Sequence, residues 1–292
     1  MPGSRPVTPS NRRCRLLNVS FRLTVEFFDE RRDEIAPRSF RIATNCKPPP
    51  GGSCQGEVYN FEGSPLKTSN SRRLYLFDID GTLLNSGGAG SAAMRAAFER
   101  VYGVEDGFAS VEFSGRSDLA IITDALAGIG ICGDELPEAV RRFKRAYYRE
   151  LPRLMIDRKG RVLPGVPRLL DQLSQDTDAT LMLGTGNFRT SAGIKLRHFG
   201  IDKYFRGGGF GDRTGHRPTL VGQGIRAANR IAGKHATVFV IGDTVHDVTA
   251  AKANAAVAVA VATGVAPRAD LEAAGADIVL DTLEEAMALI GR

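Results

Sequence analysis

Leu74-Tyr75-Leu76-Phe77-Asp78-Ile79-Asp80-Gly81-Thr82-Leu83-Leu84 is the stretch on which the reading of this chain turns. Four apolar residues run into two aspartates one residue apart, followed by Gly81 and Thr82. A short apolar run that ends in a turn signal reads as a fully buried strand of a parallel sheet. Alternation along such a strand sends Asp78 and Asp80 the same way from its end. Two carboxylates so close repel unless a cation lies between them or one holds a proton. That arrangement weakens a fold and serves chemistry. An acidic turn closing an ordinary strand looks the same locally, so the decision rests on the rest of the chain.

Downstream, from Leu163-Pro164-Gly165-Val166, helix and strand patterns alternate. Apolar spacing predicts helices over 164–173, 189–199, 218–231, 245–253 and 283–290. Strands are predicted over 179–183, 236–241, 256–261 and 277–280, with Tyr204-Phe205 in a strand's place after the second helix. Such alternation means βαβ units, a parallel sheet and right-handed crossovers that put helices on both faces. Between Leu84 and Arg161 the only strand candidate is Val111-Glu112-Phe113. Helices are predicted from Ser91 to Tyr102, through Leu126 with Ser117 or Asp118 as N-cap, and from Asp134 to about Glu150. The predicted fold is therefore α/β: a doubly wound, Rossmann-like parallel-sheet core (residues 73–86 and 162–292) with an inserted α-helical cap (87–161).

Charge and cysteine are concentrated ahead of this core. The net charge is +6, and residues 1–73 hold 13 basic against 7 acidic residues. That leaves 26 of each for residues 74–292, so the basic balance belongs to the leader and is no argument for nucleic-acid binding. Of the 4 cysteines, Cys14, Cys46 and Cys54 also lie in the leader, and none has metal-ligand spacing. A disulfide scaffold is not expected at this size, and a reducing cytoplasm fits better. No run approaches the ~20 apolar residues of a membrane span. The leader (1–72), with Lys47-Pro48-Pro49-Pro50-Gly51-Gly52, is expected to be disordered or loosely attached. Its Arg-rich, acid-poor start resembles a transit peptide in composition, and an unfolded upstream extension reads the same.

In an open parallel sheet, ligands bind outside the carboxyl ends of the strands. Three predicted strand ends carry chemistry: Asp78 and Asp80; Gly184-Thr185-Gly186-Asn187; and Gly242-Asp243-Thr244-Val245-His246-Asp247. In this order, these segments resemble the first, second and fourth motifs of the haloacid dehalogenase superfamily of phosphoryl-transfer enzymes, over residues 73–292. The cap position, LPGV before the second motif and GTGN are similar to phosphoglycolate-phosphatase-like hydrolases.

The resemblance implies a Mg2+-dependent phosphatase acting on a small phosphorylated metabolite. Asp78 would be the nucleophile and Asp80 the general acid and base. Asp78, Asp243 and the Asp80 backbone carbonyl would hold the ion, with Asp247 supporting it or orienting the site. Thr185 would bind a phosphoryl oxygen, and Thr82, Gly186 and Asn187 would contact substrate. Where the family supplies a lysine as its third motif, this chain has Arg217-Pro218; arginine keeps the charge and can bridge two phosphate oxygens. Lys195 is the alternative cation, although a lysine on a helix surface is normally solvated. Arg116 is a candidate for a substrate carboxylate or second phosphate, and His246 for the site edge. A phosphomutase of the β-phosphoglucomutase type and a non-catalytic binding protein are the competing readings. No nucleic-acid or membrane partner is implied.

Overall fold

The structure, a computed structural model, describes residues 72–289. The expectations for the leader lie outside these residues. Strand β1 (Arg73–Phe77) ends one residue before Asp78, and a short β2 (Leu84–Asn85) follows the turn. Three helices come next: α1 (Ala89–Tyr102), α2 (Asp118–Gly128) and α3 (Leu136–Asp157). Strand β3 (Arg161–Val162) returns antiparallel to β2, pairing Leu84 with Val162 and Asn85 with Arg161. The helical segment, called the cap below, thus leaves and re-enters through a two-stranded neck.

Alternation then resumes: α4 (Val166–Gln175), β4 (Ala179–Gly184), α5 (Arg189–His198), β5 (Gly208–Gly209) and α6 (Arg217–Ala232). It continues through β6 (Thr237–Gly242), α7 (Val245–Ala253), β7 (Val257–Val261), α8 (Arg268–Ala273), β8 (Ile278–Leu280) and α9 (Leu283–Leu289). Six strands form one parallel sheet in the order β5-β4-β1-β6-β7-β8. No helix among the described residues is long and apolar enough to cross a membrane.

The period of two along β1 separates the two faces. Tyr75 and Phe77 pack with Leu169, Leu170 and Leu173 of α4 and with Leu196 of α5. Leu74 and Leu76 pack with Val221 of α6, Val248 of α7 and Leu271 of α8. The cap has a separate apolar cluster, including Phe98, Phe108, Ile122, Phe143 and Tyr147, which reaches the core through Phe188.

Several elements differ from the sequence reading. Tyr204 ends a 3-10 turn (Asp202–Tyr204), and the edge strand is Gly208–Gly209 instead. Two glycines carry no side-chain pattern, yet only glycine fits: a Cβ at Gly208 would collide with Leu183, and one at Gly209 with the Leu220 backbone. Val111 to Phe113 is not a strand. Asp134 lies in a 3-10 turn (Gly133–Glu135), and α3 starts after it and runs to Asp157, past Glu150. Helix α8 was not anticipated.

Candidate active site

The carboxyl end of β1 lies between those of β4 and β6, its neighbours in the sheet. Asp78 follows β1, Thr185 follows β4 and Asp243 follows β6, so sheet order alone brings the three segments together. Residues 78–83 leave the strand and turn, with Leu83 N and Leu84 N donating to Ile79 O at 2.9 and 3.0 Å. Gly81 sits at φ +82 inside this turn, a region where side chains are strained.

Asp78 and Asp80 are paired with different cations. Arg217, at the start of α6 and 8% exposed, places Nη2 2.9 Å from Asp78 Oδ1 and 2.6 Å from Asp247 Oδ1. Its Nε donates to Asp247 Oδ1 at 2.8 Å. Burial works against the guanidinium charge, but Asp247 and Asp78 together more than offset it, so its pKa is raised. Lys195 of α5 is 4% exposed; Nζ donates to Asp80 Oδ2 at 2.6 Å and to Asn187 Oδ1 at 2.7 Å. This corrects the expectation of a solvated surface lysine. The buried residues of α5 are Ser191, Ala192, Lys195 and Leu196, and the i, i+4 spacing from Ser191 was the overlooked signal.

Asp78, Asp243 and Asp247 are buried, with carboxylate oxygens within 4.8 Å of one another. Burial pushes Asp243 up to about 8, with Asp78 and Asp247 adding to the rise. Burial likewise pushes Asp78 up to about 6, against the pull of Arg217. Asp78 Oδ1 has the Arg217 ion pair but no aligned hydrogen bond. Three buried carboxylates facing one guanidinium are under-neutralised, and their hard oxygens suit a divalent cation. Asp247 Oδ2 additionally accepts from Thr244 Oγ1 at 2.7 Å and Thr244 N at 3.2 Å, closing a capping box on α7. Both Asp247 oxygens therefore already serve to orient their neighbours.

The other candidates divide. Asn187 donates Nδ2 to Asp80 Oδ2 at 2.8 Å and to Thr185 Oγ1 at 2.9 Å, tying the second motif to the first. Thr82 was expected to touch substrate. It is instead fully buried and donates to Asp243 Oδ1 at 3.0 Å. A cavity of about 510 Å³ opens above Asp78 and Asp80 and is lined by Gly186, Asn187, Lys195 and Arg217 from the core. The cap adds Met94, Phe113, Ser114, Arg116, Ile121 and Tyr147. Arg116 is paired with Asp124 at 2.6 Å on the cap itself. His246 does not line the cavity; Gly115 packs against its ring, where a Cβ would collide.

Sequence reasoning treated Asp118 only as a possible N-cap. Ser117 is the cap of α2, accepting from Ala120 N at 3.2 Å. Asp118 reaches across to the core, accepting from Phe188 N at 2.8 Å and Ser191 Oγ at 2.9 Å. Its burial pushes the carboxyl up to about 6, partly countered by Lys195. No spacing in the sequence marks this contact, because its partners lie 70 and 73 residues away.

The family model for haloacid dehalogenase-like hydrolases matches residues 73–254. A Dickeya dadantii (strain 3937) protein named "Probable phosphatase IndB" is 29% identical over 213 residues, covering 73% of this chain and 90% of that protein. Among solved structures, CbbY from Rhodobacter sphaeroides in complex with phosphate is similar, with a TM-score of 0.55 at 20% identity, over 75% of this chain and 97% of that one. A predicted phosphoglycolate phosphatase from Haemophilus somnus 129pt gives 0.55 at 20% identity, over 76% and 99%. At such identities these likenesses speak for the fold.

Proposed function

The chain belongs to the haloacid dehalogenase-like hydrolase family, and we propose that it is a Mg2+-dependent phosphatase that hydrolyses a small phosphomonoester through an aspartyl-phosphate on Asp78. The observation that carries this reading is the position of Asp78. It sits at the end of β1, ion-paired to Arg217, grouped with Asp243 and Asp247, and at the floor of the cavity. The phosphatase name of the Dickeya relative supports it.

In this mechanism an Asp78 oxygen attacks phosphorus as the bond to the leaving oxygen breaks. Asp80 gives its proton to that oxygen, then takes one from the water that attacks the aspartyl-phosphate and regenerates Asp78. Lys195 and Asn187 both bond Asp80 Oδ2, which leaves Oδ1 to carry the proton. Arg217 holds the nucleophile and offers positive charge to the transferring group. Asp78 and Asp243, with the Asp80 backbone carbonyl, would hold Mg2+, whose charge offsets repulsion between carboxylate and phosphate.

The test is phosphate release from a panel of phosphomonoesters with Mg2+, comparing the parent with Asp78→Asn. The substitution keeps volume and removes the nucleophile, so turnover should vanish while the fold persists. Turnover within about tenfold of the parent would exclude the covalent route.

A further inference from the structure

Away from the active site, the cap carries a second cavity of about 410 Å³ in the groove between α1 and α3. Its lining is Arg100, Val101, Arg142, Arg145, Ala146 and Arg149. We propose that this groove binds a small, multiply charged phosphate compound, a di- or triphosphate group, through its four arginines.

The spacing builds the site. Arg142, Arg145 and Arg149 are three and four residues apart on α3, which puts them in one stripe, and Arg100 faces them from α1. Like charges along a helix stripe repel and weaken the helix. Elsewhere on α3 the chain neutralises such charges: Arg141 is paired with Glu138, and Arg153 lies 3.9 Å from Glu150. In the groove the compensation is incomplete. Arg100 has Glu150 at 2.8 Å; Arg145 is 3.9 Å from Glu138, which Arg141 already holds. Arg142 lies over the Tyr102 ring at 5.9 Å. Arg149 has no ion-pair partner among the described residues. The groove therefore offers guanidinium forks with vacant donors around a floor of Val101 and Ala146.

Guanidinium forks bind phosphate oxygens in pairs and stay charged at every relevant pH. Several forks around one concavity favour several phosphates over one. The volume fits a small ligand. Helix α1 follows β2 and α3 precedes β3, so a ligand spanning the groove would fasten together the two legs on which the cap stands.

The test is thermal unfolding of the full chain titrated with tripolyphosphate, pyrophosphate, phosphate and, at matched ionic strength, sulfate. The inference does not depend on the phosphatase reading. The unfolding midpoint should rise saturably in the order tripolyphosphate, pyrophosphate, phosphate. In Arg145→Gln and in Arg145→Glu/Arg149→Glu the apparent affinity for tripolyphosphate should fall by about tenfold or more. Without ligand, the midpoints of these variants should not drop, because like-charge repulsion is relieved. Thr185→Ala, altered at the active site, should keep the tripolyphosphate response. An equal shift with sulfate, a response unchanged in both arginine variants, or a response lost only in Thr185→Ala would overturn the proposal. So would capture by anionic lipid vesicles with no response to tripolyphosphate.

Discussion

Two buried cations divide the acidic residues of the site, and each division implies a different consequence of removal. Arg217 makes two contacts to Asp247 Oδ1 and one to Asp78. An ammonium group has no fork, so it cannot reproduce that set. Losing a charge-assisted contact of about 1.5–3 kcal/mol corresponds to roughly ten- to a hundredfold in rate. Arg217→Ala should slow turnover by at least that factor, and Arg217→Lys should recover part of it. Lys195→Met should also slow turnover, since Asp80 loses its cation and Asn187 its donor. A parent-like rate in Lys195→Met would reduce that lysine to packing. The carboxylates give a prediction about pH. Asp78 and Asp243 are raised to about 6 and about 8 from an ordinary 3.8. A raised folded-state value favours the protonated form, so its stability contribution is complete below about pH 4. It is then lost as pH climbs through 6 and 8. Metal-free protein should therefore unfold at lower temperature at about pH 8.5 than at about pH 5, and Mg2+ should restore more at the alkaline end. Unfolding midpoints in EDTA and in Mg2+ measure this, and an equal Mg2+ effect at both pH values would contradict it.

At the scale of elements, the turn after β1 is where backbone geometry and chemistry meet. Gly81 has φ +82, and a Cβ there would strike the Asp243 carboxylate. Gly81→Ala should therefore displace Asp243 and depress both activity and the Mg2+-induced rise in unfolding midpoint. An unaltered Mg2+ response would show that the turn yields without moving Asp243. The sequence revealed this turn because an apolar run, two aspartates and a glycine all act locally. The same holds for α7, whose bounds agree with the reading at both ends, and for β7, fixed by its Ala/Val run. Strand β5 was hidden because its two residues are glycines, selected by Leu183 and by the Leu220 backbone packed against them, and a residue without a side chain adds nothing to an apolar period. The burial of Lys195 was hidden for a related reason. Its charge suggests solvent, while its true environment is set by Asp80, 115 residues earlier. Residues whose chemistry is read along a strand or turn were legible; residues defined by what packs across from them were not.

At the scale of the whole molecule, the cavity exists because the cap sits against the core, and a small set of polar contacts joins them. Asp118 N donates to Gly186 O at 2.8 Å, and its carboxylate takes Phe188 N and Ser191 Oγ. Lys144 of α3 adds an ion pair with Asp212 at 2.7 Å and lies 3.8 Å from the centre of the Phe188 ring. Of these, the Asp118 carboxylate is the best buried, at 7% residue exposure, and Phe188 N depends on it. Asp118→Ala would strip that amide of its acceptor while leaving the apolar cluster of the cap intact. Leaving a buried donor unsatisfied costs about 1–3 kcal/mol. For a chain of this class each kcal/mol lowers the unfolding midpoint by roughly 2–4 °C. The loss should be localised as well as measurable. Amide hydrogen exchange should quicken in residues 113–121 and 186–191, where cap meets core, and stay unchanged in β1 and β6. Uniformly faster exchange would mean that Asp118 supports global stability. Unchanged exchange in both segments would mean that other contacts hold the cap down without it.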